Sequence, residues 1–207
     1  MVTVQPLCIG TFREHGVPDA MRTDNGPPFA SVGLAGLSAL SVWWVRLGIQ
    51  LERIEPGQPQ QNGRHERMHR TLKEATAKPP HANLGAQQKA FDEFRREYNE
   101  ERPHEALGQK PPAEFYQPSL REYPERLPEQ RGYPDDWEKR AIRKGGQMKW
   151  KGKDIHLTSA LWGQEIGLKP TGEGQWEIHF ENLKLGTFDE RTRRVKGVRR
   201  LASPLVQ

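Results

Sequence analysis

The chain has 207 residues, a formal net charge of +5, a hydrophobic fraction of 34% and 17 prolines, which argues against one deep core and for two modest cores joined by polar segments. Its pI near 9.4 suits an anionic partner, while the single cysteine, Cys8, permits no internal disulfide and fits a reducing cytoplasm. The opening residues lack the basic and apolar regions of a signal peptide, and the most apolar run, 32–45, is too short and too broken by serine to span a bilayer, so no membrane association is expected.

In chain order, residues 4–15 read as the end of a helix whose apolar stripe is Leu7, Cys8, Ile9 and Phe12. An apolar-flanked run, 17–23, reads as a strand that stops at Asp24, immediately before the turn Asn25-Gly26. Residues 29–48 carry Leu34, Leu37, Leu40, Trp44 and Leu47 at helical spacing, which predicts a helix ended by Gly48 with Trp43 and Trp44 in the core. A short strand over 50–55 follows, then a loop whose two prolines and glycine forbid regular structure. Helices are predicted over 62–77 and 84–98, the second with Ala90, Phe91, Phe94 and Tyr98 on one side. From 117 to 142 frequent prolines indicate a semi-rigid linker. Beyond it the apolar period changes to two, at Met148 and Trp150, Ile155 and Leu157, Trp176, Ile178 and Phe180, and Leu183 and Leu185. Turns at 152–154, 171–174 and 181–182 divide this run into strands of a small barrel. Residues 143–200 hold 13 Lys and Arg against 7 Asp and Glu, so this module accounts for the positive charge.

Two stretches concentrate chemistry-bearing groups. On the helix beginning near residue 62, Asn62, Glu66, Arg70 and Lys73 recur at spacings that put one carboxylate on a face with an amide before it and two cations behind it. Asp24 at a strand end supplies a second carboxylate, and two such oxygens suit Mg²⁺ or Mn²⁺ in phosphodiester chemistry.

Three stretches in order resemble the catalytic core of the DDE integrases and insertion-sequence transposases. They are Gly16-Val17-Pro18 through Arg22-Thr23-Asp24-Asn25-Gly26; Pro59 through Asn62-Gly63-Arg64-His65-Glu66-Arg67 to Lys73; and Tyr98-Asn99 through Arg102-Pro103-His104 to Tyr116. The resemblance implies an α/β, RNase H-like core over residues 1–116, with Asp24 and Glu66 as catalytic metal ligands for Mg²⁺ or Mn²⁺. It also implies DNA, as transposon ends and target, for a partner, and a homo-oligomer. The family's first Asp, from its opening strand, has no match here. Asp19, the one earlier Asp, lies in a Gly-Val-Pro-Asp loop. The chain is therefore expected to lack the first strands of the core and to be a truncated, inactive copy. The 41 residues between the two acids exceed the family's usual spacing, with the surplus falling in 31–41. Trp150-Lys151-Gly152-Lys153 and Leu185-Gly186-Thr187-Phe188-Asp189 resemble, less specifically, the carboxy-terminal DNA-binding domain of this transposase group. The expected DNA contacts are Asn62, Arg70, Lys73, Lys151, Lys153, Arg191, Arg193 and Arg194, the last three in a basic cluster that continues to Arg200.

Two other readings stay open. A non-catalytic DNA-binding remnant would use the 143–200 module alone. His65-Glu66-Arg67-Met68-His69 also has the form of a zinc metalloprotease helix, although Arg64, Arg67 and Arg70 would repel a dication there.

Overall fold

The structure is a computed structural model that describes residues 4–55, 58, 61, 63–77 and 79–198. The chain forms two compact units, one of residues 1–54 with 119–207 and one of residues 55–118.

The first unit begins with helix α1, Val4–His15. Phe12 is its one buried side chain and stacks on Trp43 with ring centroids 5.8 Å apart. Leu7, expected on the apolar stripe, is instead 64% exposed, and Cys8 and Ile9 are half-buried. Strand β1, Ala20–Thr23, pairs in parallel with β2, Gln50–Arg53, from Ala20 opposite Gln50 to Thr23 opposite Arg53. The connection passes through α2, Ala39–Arg46, as parallel strands require a crossover.

The helix predicted over 29–48 is thus only eight residues long. Ala35 and Gly36 adopt left-handed φ values of 54° and 66°, and Ser38 starts the helix afresh. Its hydroxyl accepts the Ser41 N–H while the Ser41 hydroxyl accepts the Ser38 N–H, a reciprocal cap that fixes the helix start. Leucine spacing alone does not register these local competitors. The guanidinium of Arg53 closes the preceding turn by donating to the Gly36 carbonyl at 2.8 Å. Trp43 and Trp44 are 8% and 1% exposed, as core positions.

The carboxy-terminal part is antiparallel. Five strands run in the order β3, Glu138–Ala141; β6, Glu165–Gly172; β7, Gln175–Phe180; β8, Leu183–Asp189; and β9, Arg194–Gly197. A separate hairpin joins β4, Gln147–Trp150, to β5, Lys153–His156. Period-two burial is clear: Ile166, Leu168, Ile178, Phe180, Leu185 and Phe188 are fully buried. The turn expected at 152–154 sits one residue earlier, at Lys151-Gly152, because Lys153 already pairs with Trp150.

These strands share one apolar cluster with Phe12, Leu37, Trp44 and Leu51, so α1, α2 and the sheet bury one another's surfaces. Of residues 117–142, read from the sequence as a linker, 119–142 belong to this unit and end in β3. Val17 N–H donates to the Arg121 carbonyl at 2.6 Å, the Ser119 hydroxyl donates to the Val17 carbonyl at 2.6 Å, and Tyr133 is 8% exposed.

The second unit contains α3, Gly63–Thr76, and α4, Leu84–Arg96, which pack on each other. Beyond Arg96 the chain does not continue as α-helix to residue 98 but widens into a π-turn, Glu97–Glu101. There Tyr98 meets His104 edge-on at 4.6 Å, and the His104 ring lies 3.1 Å from the Tyr98 carbonyl. Thr76 is the one buried side chain among the described residues of this unit.

Candidate functional site

Asp24 follows the last residue of β1 and is held there by two contacts. Its Oδ1 accepts the Gly26 N–H at 3.0 Å, and Asn25 Nδ2 donates to the Ile54 carbonyl at 2.9 Å just beyond β2. The turn-forming role of Asp24 is therefore present, yet it occupies one carboxylate oxygen only. The side chain is exposed, and Oδ2 has no hydrogen-bond partner among the described residues. Beside it on the strands, Arg22 and Glu52 pair at 2.9 Å, consuming each other's charge. Asp24 is left as the open acid at this strand end.

Glu66 stands in the first turn of α3, where a negative group is favoured by the helix dipole. It is exposed and forms no ion pair among the described residues, with Arg70 at i+4 included. Arg70 and Lys73 are exposed farther along α3. Asn62 lies outside the described residues. Asp24 belongs to the first unit and Glu66 to the second. Each is a hard oxygen donor in solvent, of the kind a divalent cation takes, and two carboxylates would fall short of a full coordination sphere. His65 and His69 lie ring to ring at 4.2 Å on the same helix. No group of three His, Cys, Asp or Glu that would hold a metal occurs among the described residues.

The cations of the carboxy-terminal module gather at one end of the sheet. The β6–β7 and β8–β9 turns meet where Glu190 N–H donates to the Gly174 carbonyl at 2.9 Å, and Lys151 joins them through Glu190 at 3.1 Å. Arg191 pairs with Glu173 at 2.9 Å. Lys153, Arg193 and Arg194 form no ion pairs among the described residues and are exposed. Two of the five predicted cations are thus paired, and three form no ion pair among the described residues. Glu190 is held below the usual carboxylate range, chiefly by Lys151, with the indole N–H groups of Trp150 and Trp176 beside it. The indole nitrogens are fully covered, with no partner of good hydrogen-bond geometry, so their help is weak and Lys151 dominates.

Sequence reasoning missed a cleft of about 360 Å³ in the first unit, lined by Arg46, Arg121 and Arg131 and by Asp19, Glu129 and Glu181. Its positive and negative groups balance, and Arg121 is spent on the Pro18 and Leu47 carbonyls and on Asp19. No sequence motif marks it, because its walls come from distant segments.

Residues 47–112 match the integrase core domain, and residues 138–196 match the carboxy-terminal domain of the IS481 family of transposases. The first match is to a class whose core is an RNase H-like α/β fold, and the second is to a transposase domain, so the chain carries segments similar to both. Similar proteins include an uncharacterized 39.2 kDa protein of insertion element IS476 from Xanthomonas euvesicatoria, 37% identical over 102 residues, which are 49% of this chain and 28% of that protein. Another is an uncharacterized 31.7 kDa protein of insertion element IS407 from Burkholderia multivorans (strain ATCC 17616 / 249), 35% identical over 104 residues, or 50% of this chain and 35% of that protein. The chain spans about a third of the length of these relatives. Among the described residues no helix is long and apolar enough to cross a membrane.

Proposed function

We propose that this chain acts on DNA in transposition, with Asp24 and Glu66 as the carboxylates that hold Mg²⁺ or Mn²⁺, and with the carboxy-terminal module as its duplex-binding part. The observation that carries this reading is the pairing, in one chain, of an integrase core match that includes Glu66 with a transposase carboxy-terminal match that includes Lys151, Lys153, Arg191, Arg193 and Arg194. The settings of the two acids support it. Each keeps carboxylate oxygen free in solvent, at a strand end and in the first turn of a helix.

In such a site a bound divalent ion lowers the pKa of a water and stabilises charge at the phosphodiester. The chain's own contribution is to hold carboxylate oxygens at that position and to seat the phosphates. Arg70 and Lys73 on α3 would take the strand near Glu66, and Lys153, Arg193 and Arg194 the duplex farther off. In this reading the antiparallel strands from 138 to 197 are the barrel-type module expected from the sequence, the core spans 1–116, and the partners are transposon ends, target DNA and further copies of the chain.

Two acids give incomplete coordination, so the chain by itself binds DNA without completing strand transfer. The experiment is a cleavage and joining assay on labelled oligonucleotides with Mn²⁺, run beside a duplex-binding titration. Binding with a steep salt dependence and no joined product is expected. Product formation abolished by Glu66→Gln would overturn the inactivity and uphold the site; absence of duplex binding would overturn the whole reading. Stoichiometric Zn²⁺ lost on His69→Ala would restore the metalloprotease alternative.

A further inference from the structure

Of the six tryptophans, five are buried or half-buried, and Trp162 alone is 59% exposed. A large apolar ring in water is unfavourable unless something covers it. Nor is it free to fold back. It ends the short 3₁₀ turn Ser159–Leu161, which is started by the Thr158 hydroxyl accepting the Ala160 N–H and anchored by Leu161, fully buried. Trp162 N–H donates to the Ser159 carbonyl at 3.1 Å, Gly163 N–H to the Ile142 carbonyl at 3.0 Å, and Gln164 N–H to the Leu161 carbonyl at 2.9 Å. The backbone on both sides of the ring is therefore fixed.

A second turn, at 143–146, is closed by Gly146 N–H donating to the Arg143 carbonyl at 2.8 Å. Gly146 has φ +77°, and a Cβ there would fall on the backbone of Thr158 and Ser159, so only glycine lets the two turns lie this close. The contact places Lys144 Nζ 5.9 Å from the Trp162 ring centroid. Lys144 is exposed and forms no ion pair among the described residues, and Arg143 has only a loose 3.7 Å approach to Asp154. A rigidly displayed indole face thus has the unpaired Lys144 beside it, with Arg143 adjoining in the chain.

We propose that Trp162, with Lys144 and Arg143, is a stacking site for an unpaired DNA base, the ring covering the base and the cations taking the adjoining phosphates. A flat aromatic face with cations beside it suits a base and its backbone. Bases within a duplex have no free face, so the site selects single-stranded or frayed DNA. This deepens the DNA reading above and rests on it, but concerns side chains for which no role was expected.

The test measures anisotropy of a labelled oligothymidylate and of a duplex of equal length with the full chain and its variants. Trp162→Ala is expected to weaken single-strand binding about tenfold, as loss of one stacked base does, with duplex affinity changed less than about twofold. Trp162→Phe should keep most single-strand affinity, and Lys144→Ala should lower the salt slope by about one. Unchanged thermal midpoints will show that the variants fold. Single-strand binding by Trp162→Ala equal to the parent overturns the stacking site, as does a parent that binds duplex but not single strand. Failure of the parent to bind duplex is the separate result that removes the DNA reading above.

Discussion

Tyr133 shows what one buried hydroxyl does in this chain. Its oxygen lies 3.2 Å from the Glu165 carbonyl and 3.4 Å from the His179 carbonyl, and it accepts the Glu181 N–H at 3.2 Å. It thereby ties the run before β3 to the ends of β6 and β7. Burial pushes the phenol from 10.0 up to about 12, so the folded chain holds this proton more tightly than the unfolded chain. The corresponding stability is intact below pH 10 and is lost as the pH rises toward 12, by on the order of 2 kcal/mol. Denaturant titrations across this range should show that decline in the parent and a flatter curve in Tyr133→Phe, which loses about 1–3 kcal/mol at neutral pH through the unpaired Glu181 N–H. Glu177 on β7 behaves oppositely. Lys184 and His179 hold it below the ordinary carboxylate range. Its contribution is present above pH 4.5 and falls away on acidification, and Glu177→Gln should reduce that acid-side loss.

Among the elements, α2 is the least readable from sequence and the most testable. Its leucine and tryptophan spacing gave the correct buried face, Trp43 and Trp44, but a start ten residues too early, because hydrophobic period is blind to left-handed residues and to a serine pair that caps itself. Ser38→Ala removes the acceptor for the Ser41 N–H and the donor to the Phe29 carbonyl, 3.1 Å away. The expected loss is about 1 kcal/mol in a denaturant titration. α1 and β2 were legible within two residues and β1 within three, and β4, β5, β7 and β8 showed their period of two, whereas β3, Glu138–Ala141, fell inside the run read as a linker because it carries no apolar alternation. The candidate site was legible as residue types, Asp24 before an Asn-Gly turn and Glu66 in a first helical turn. Its charge state was not. The pairing of Lys151 with Glu190 and of Arg191 with Glu173 depends on turns brought together by the sheet.

At the scale of the molecule, the two units differ in what holds them. In the first, one apolar cluster extends from Phe12 to Phe188, and Arg46 at the end of α2 lies 3.5 Å from Glu181, both side chains nearly covered, with Gln164 accepting a bond from the same guanidinium at 2.6 Å. Arg46→Ala would strand Glu181 in that covered position and should cost about 3–5 kcal/mol, lowering the thermal midpoint of the whole first unit. In the second unit the described apolar side chains stay at least partly in solvent: Leu84 is 89% exposed and Phe91 38%. Its helices therefore rest on local hydrogen bonds, the Asn83 cap accepting the Ala86 N–H at 2.9 Å, and the Gln87 bond to the Thr76 carbonyl at 3.0 Å. Opening such helices exposes little apolar surface, whereas opening β6, β7 or β8 exposes the cluster. Amide exchange of the chain alone should accordingly show α3 and α4 exchanging orders of magnitude faster than β6–β8 under the same conditions. On the proposed function, in which Arg70 and Lys73 take phosphate, adding duplex DNA should slow exchange in α3. Slow exchange of α3 in the free chain, equal to that of the sheet, would show that the second unit has a source of stability other than its own helix contacts.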